Sequence, residues 1–115
     1  MTQEKIKEQI NSIKEDLGMI MILRPGSLSQ QYNVCGKKEC ACKNKKDPKK
    51  HGPYNILSYR HRGKNHTEFI RKQFINDTKE WSKDYQLFLK LIDKWIDLSI
   101  KLSKLEMKNL ISEKP

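Results

Sequence analysis

Three cysteines and one histidine stand in the middle of this chain as Cys35, Cys40, Cys42 and His51, spaced Cys-x4-Cys-x-Cys-x8-His. Three thiolates and an imidazole make a complete tetrahedral donor set for Zn2+, and a closed four-ligand site of this kind is structural. Gly36 lets the chain turn just after the first donor, so that the following amides can point toward sulfur. Nearby lysines favour the thiolate form that binds metal. The bland alternative is three reduced, unliganded cysteines, but the chain has no cysteine outside these eight residues. His51 is preferred as fourth donor because Gly52-Pro53 beside it favours a turn, whereas His61 and His66 fall in or beside a hairpin and are expected to be solvated. An odd cysteine count argues against a disulfide framework, and a reducing cytoplasmic setting fits that reading.

The same region carries the charge. The chain as a whole is at +10, and residues 37–72 hold twelve Lys or Arg against three acids, Glu39, Asp47 and Glu68. Lys37, Lys38, Lys43, Lys45, Lys46, Lys49 and Lys50 lie in the cysteine segment, and Arg60, Arg62, Lys64, Arg71 and Lys72 in or beside the hairpin. Gathered on one surface, these cations suit backbone phosphates, and Tyr54, Tyr59 and Phe69 could add stacking contacts. A solvated lysine-rich surface over core aromatics is the competing reading. No helix-turn-helix, RNA-recognition motif or tandem zinc-finger pattern narrows the choice.

Catalysis finds little support. A zinc held by three cysteines and a histidine keeps no open position for water. Asp77, Glu80, Asp84, Asp93 and Asp97 sit on or near the polar face of an amphipathic pattern. A nuclease would need clustered carboxylates or a base beside the metal, so an enzyme is not expected.

Cys35-Gly36-Lys37, Cys40, Cys42, His51-Gly52-Pro53-Tyr54, Leu57-Ser58-Tyr59-Arg60 and Gly63-Lys64 together resemble a family of short, uncharacterised prokaryotic proteins often encoded with transposases or other mobile-element genes. The resemblance covers roughly residues 26–72 and implies an accessory role rather than a reaction. This chain departs from the pattern in a longer, more lysine-rich stretch over residues 43–50.

The elements that must position these residues are predicted from periodicity. Ile6, Ile10, Ile13, Leu17 and Ile20 recur at helical spacing, which predicts an amphipathic helix over residues 3–22 with Thr2 as N-cap and Pro25-Gly26 as terminator. Residues 26–53 are expected to be an irregular metal loop. Residues 54–60 and 66–70 favour two strands, with a turn around Gly63. Asp77 followed by Glu80 resembles a capping box and predicts one long helix over residues 77–110. Its stripe begins as Trp81, Tyr85, Phe88, Ile92 and Trp95 and drifts to Leu91, Leu98, Leu102 and Leu105.

The fold class is therefore α+β: a zinc-stapled loop and hairpin (residues 25–76) between an N-terminal helix (1–24) and a long C-terminal helix (77–115), as one domain overall. The helices carry a coiled-coil-like seam. Leu98, Leu102 and Leu105 lie beyond what the shorter helix is expected to cover, which points to a homodimer through residues 91–110. The longest apolar run, Met19 to Leu23, is too short for a signal segment or a membrane span, so a cytoplasmic protein is expected. The leading functional expectation is a DNA-binding accessory or regulatory protein acting with a recombinase or transposase. The alternatives are an adaptor docking through its C-terminal helix, and an RNA-binding protein.

Overall fold

The isoleucine period of the first segment forms a helix because each fourth or third residue returns to one face. In the computed structural model, which describes residues 2–33 and 51–113, α1 runs Gln3–Gly18, with the Thr2 hydroxyl accepting from the Lys5 amide at 3.3 Å. It ends earlier than residue 22. After Gly18 the amides of Met19 and Ile20 bond to the carbonyls of Asp16 and Leu17, tightening the last turn. A weak helix former at position 18 explains the early stop.

Three strands follow in antiparallel order β1-β2-β3: β1 Ser27–Asn33, β2 His51–His61 and β3 Lys64–Ile70. β1 was expected to be loop. β2 is longer than anticipated at both ends, and β3 begins two residues earlier than its hydrophobic run. Between β2 and β3 the chain reverses through Arg62 and Gly63, both at positive φ, as a tight two-residue hairpin turn requires. Two other glycines are set by close backbone approach. A Cβ on Gly26 would lie 2.5 Å from the Ser58 carbonyl oxygen, and one on Gly52 2.7 Å from that of Gln31. The Gly52-Pro53 bond is cis.

A short 3-10 turn at Lys72–Phe74 leads into α2, Ile75–Glu113. The helix thus begins before Asp77, which lies in its first turn rather than capping it. Thr78 is interior and buried, its hydroxyl donating to the Phe74 carbonyl at 2.7 Å. That bond ties the entry turn to the helix.

The described residues fall into two units. The helical unit joins residues up to Leu23 with those from Lys83 onward. Its core is Ile6, Ile10, Ile13, Leu91 and Leu98, with Leu17, Ile20, Trp95, Leu102 and Leu105 packed against it. The Lys14 ammonium lies 5.5 Å from the centre of the Trp95 ring. The burial of Leu98 and the packing of Leu102 and Leu105 correct the expectation that α1 would leave them uncovered. From Leu91 to Leu105 a helix rises about 21 Å, and α1 spans about 24 Å, so its length matches that stripe. The apolar side chains left exposed are others, including Ile96, Ile100, Met107 and Ile111.

The sheet unit comprises Arg24–Ser82. Leu57 on the central strand is fully buried, and Ile70 and Thr78 nearly so. Arg24 accepts little freedom here. Its amide bonds to the Trp81 carbonyl, its carbonyl accepts from the Ser82 hydroxyl, and its guanidinium pairs with Glu68 and lies 4.9 Å from the centre of the Tyr59 ring. No helix of the described residues is long and apolar enough to cross a membrane.

Candidate nucleic-acid interface

Strand alternation sorts the candidate side chains onto two faces of the sheet. Paired residues share a face, and the register places Leu57 with Leu28 and Glu68, Tyr59 with His66, and His61 with Lys64 on one side. This is the side that holds the buried Leu57 and the Arg24 contacts. Tyr59 is half-buried and stacked on the His66 ring at a centroid distance of 4.9 Å. Its π-faces are thus occupied by His66 and Arg24, and it does not join the other aromatics as a stacking residue. His66, expected to be solvated, is half-buried by the same contact, while His61 is exposed.

The opposite side forms four rows across the strands. Arg60 pairs with Asn65 nearest the turn; then come Ser27, Ser58 and Thr67; then Ser29, Ile56 and Phe69; then Gln31 and Tyr54. Successive rows are about 7 Å apart, two residues of strand rise. Phe69 is 56% exposed and meets the half-buried Tyr54 edge-on, ring centres 6.0 Å apart. Ser27, Ser58, Arg60, Asn65 and Thr67, together with Gly26, Tyr59 and His66, border a shallow depression of about 600 Å³. Glu68 alternates to the other side of β3, and it borders with Phe69 a depression shared with Arg24, Phe74 and Trp81. The sequence signal for these rows was period two: Ser27-x-Ser29-x-Gln31, Tyr54-x-Ile56-x-Ser58-x-Arg60 and Asn65-x-Thr67-x-Phe69. The serines, threonine and asparagine carry neither charge nor an aromatic ring, so only their place in that period marks them.

The five described cations of the basic band are all exposed, and they divide between two ends of the sheet. Arg60, Arg62 and Lys64 surround the β2–β3 turn. Arg71 and Lys72 follow β3 at the other end, where Ile70 pairs with Asn55. Six residues of β2 separate those levels, about 20 Å. Lys37, Lys38, Lys43, Lys45, Lys46, Lys49 and Lys50 lie outside the described residues, as do Cys35, Cys40 and Cys42. Of His51 only the backbone is described; it opens β2 and pairs with Asn33. The sheet thus brings position 51 beside position 33. Among the described residues no group of three or more His, Cys, Asp or Glu is gathered for a metal.

A family model described as "Domain of unknown function (DUF6788)" matches residues 3–80, more than half of the chain. That span takes in α1, the whole sheet and the first turns of α2. No curated protein matches, and no solved structure matches.

Proposed function

We propose that this chain, which belongs to the DUF6788 family, is a zinc-stapled, cytoplasmic nucleic-acid-binding protein, with DNA the favoured ligand. The observation that carries the proposal is the location of charge. Twelve of the chain's cations fall within residues 37–72, and the five described ones are all exposed, at the two ends of the sheet. Such charge attracts phosphates. Cys35, Cys40, Cys42 and His51 would hold Zn2+ as a structural ion that orders a segment too poor in apolar residues to order itself. The resemblance to proteins encoded with mobile elements supports an accessory or regulatory role beside a recombinase or transposase. No reaction is assigned to the chain.

The test is salt dependence. Binding to duplex DNA is expected to weaken steeply as salt rises, and each phosphate contact removed should lower the log–log slope by about 0.9. Replacing Lys45, Lys46, Lys49 and Lys50 together by Glu should abolish binding while leaving the thermal midpoint nearly unchanged. Unchanged affinity in that variant would refute the reading. RNA shares the electrostatics, and parallel titrations with RNA of the same sequence decide between the two.

One observation favours a second activity, docking through α2. On the side of the helix not taken by α1, Ile96, Ile100, Met107 and Ile111 are between 48% and 73% exposed. Ile92, Trp95, Ile96, Ser99, Ile100 and Ser103 line an apolar groove there. We propose a homodimer through residues 91–110 that uses this side, with Leu98, Leu102 and Leu105 retained in each chain's own core. Sedimentation equilibrium should give a dimer for the wild type and a monomer for Ile96→Glu, Ile100→Glu. A monomeric wild type would refute the homodimer and leave a heterologous partner for the groove, as the adaptor reading requires.

A further inference from the structure

We infer that the outer side of the sheet binds single-stranded nucleic acid, with bases stacked on Phe69 and Tyr54 and backbone phosphate held by Arg60; this rests on the nucleic-acid reading above and specifies the ligand's form. The four rows run from cationic to aromatic. Arg60 and Asn65 stand at one end, a row of three hydroxyls follows (Ser27, Ser58, Thr67), and Phe69 and Tyr54 close the other end. A nucleotide has the same order of chemistry: an anionic phosphate, a sugar rich in oxygens, and a flat base with an apolar face. The Arg60 and Phe69 rows are about 13 Å apart along β2, a span that arginine's long side chain shortens toward the size of one nucleotide.

Three features favour a single strand over a duplex. Phe69 is more than half exposed although the same residue type would gain by burial. Its ring meets Tyr54 in a T-shaped contact, with centres 6.0 Å apart, that holds the two rings as a pair. A duplex hides its base faces inside the stack, so an aromatic ring on a sheet gains nothing from it, whereas an unpaired base offers that face freely. The hydroxyl and amide side chains between the cation and the rings are short enough to let a strand approach the sheet. An acidic peptide would satisfy Arg60 but would leave the rings unused.

The experiment is fluorescence anisotropy with a labelled oligothymidylate of about 12 nucleotides, the corresponding oligouridylate, and a duplex of equal length. The single strands are expected to bind more tightly than the duplex at matched salt. Tyr54→Ala, Phe69→Ala should weaken single-strand binding on the order of ten- to a hundredfold and duplex binding less than about twofold. Phe69→Trp should retain or strengthen it. Phe69→Leu keeps an apolar side chain and the fold but loses the ring, and should weaken single-strand binding as alanine does. Light-induced crosslinking of a bromouracil-substituted strand should mark the peptide bearing Tyr54 or Phe69. Equal affinity for duplex and single strand, or a Phe69→Leu variant that binds single strands as the wild type does, overturns the inference and leaves phosphate binding by the lysines standing. Failure of every nucleic acid to bind overturns both. Preference for the thymidylate or for the uridylate identifies which strand is the ligand.

Discussion

Protein purified without a histidine tag or chelator is expected to carry about one zinc per chain, and stripping that zinc should dismantle the sheet unit while sparing the helices. The size of the effect follows from where the metal acts. Structural zinc in small peptide sites contributes about 10–16 kcal/mol of apparent binding energy at neutral pH, which becomes folding energy when no site exists in the unfolded chain. The sheet unit has little with which to replace it, since Leu57 and Ile70 are its buried apolar side chains among the described residues. The helical unit keeps its own isoleucine and leucine core. Chelation, or Cys40→Ser, should therefore abolish amide-exchange protection in β1, β2 and β3 while most of the far-ultraviolet helix signal survives. Elemental analysis giving clearly substoichiometric metal, or a chelated protein with an intact sheet, would defeat the zinc assignment.

Among the apolar side chains of the sheet unit, Leu57 should be the most costly to truncate, as Leu57→Ala. Leu57 lies on the central strand between Leu28 and Glu68 and has no exposed surface. Truncating such a leucine removes its transfer energy and leaves a cavity, together about 3–5 kcal/mol. That is a large share of the roughly 5–15 kcal/mol by which whole domains are stable. Ile6→Ala, at 1% exposure in the other core, is the matched control, costing about 2–5 kcal/mol but acting on α1 and the far part of α2. Hydrogen exchange resolves the two. Leu57→Ala should expose the amides of residues 51–70 first, and Ile6→Ala those of residues 3–18. A urea midpoint unmoved by Leu57→Ala would show that the central strand is not held by this side chain.

The helices were legible because their apolar residues keep strict period and because a helix core needs no partner distant in sequence beyond one other helix. Even the drift of the α2 stripe to Leu91, Leu98, Leu102 and Leu105 could be followed along the chain. What could not be followed was which stretch of α2 faces α1. The start of α2 belongs to the sheet unit, so α1 is matched to the later stripe, and the leucines assigned to a dimer are spent within one chain. β1 was missed for a different reason. Ser-Leu-Ser-Gln-Gln-Tyr-Asn has two large apolar side chains and weak strand formers between them. Its conformation comes from pairing with β2, whose partner residues lie 18 to 31 positions further along the chain. The candidate site was legible in its cations and aromatics and illegible in its faces. Tyr59 and Phe69 look alike in sequence, yet one is sandwiched by His66 and Arg24 and the other is open.

The pairing of Asn33 with His51 bears on how such a chain can change over time. The register of β1 on β2 is set rung by rung from Ser27 against Ser58 to Gln31 against Tyr54, so it does not depend on how many residues join the two strands. Residues can be added between Asn33 and His51 without disturbing the register of a single strand pair.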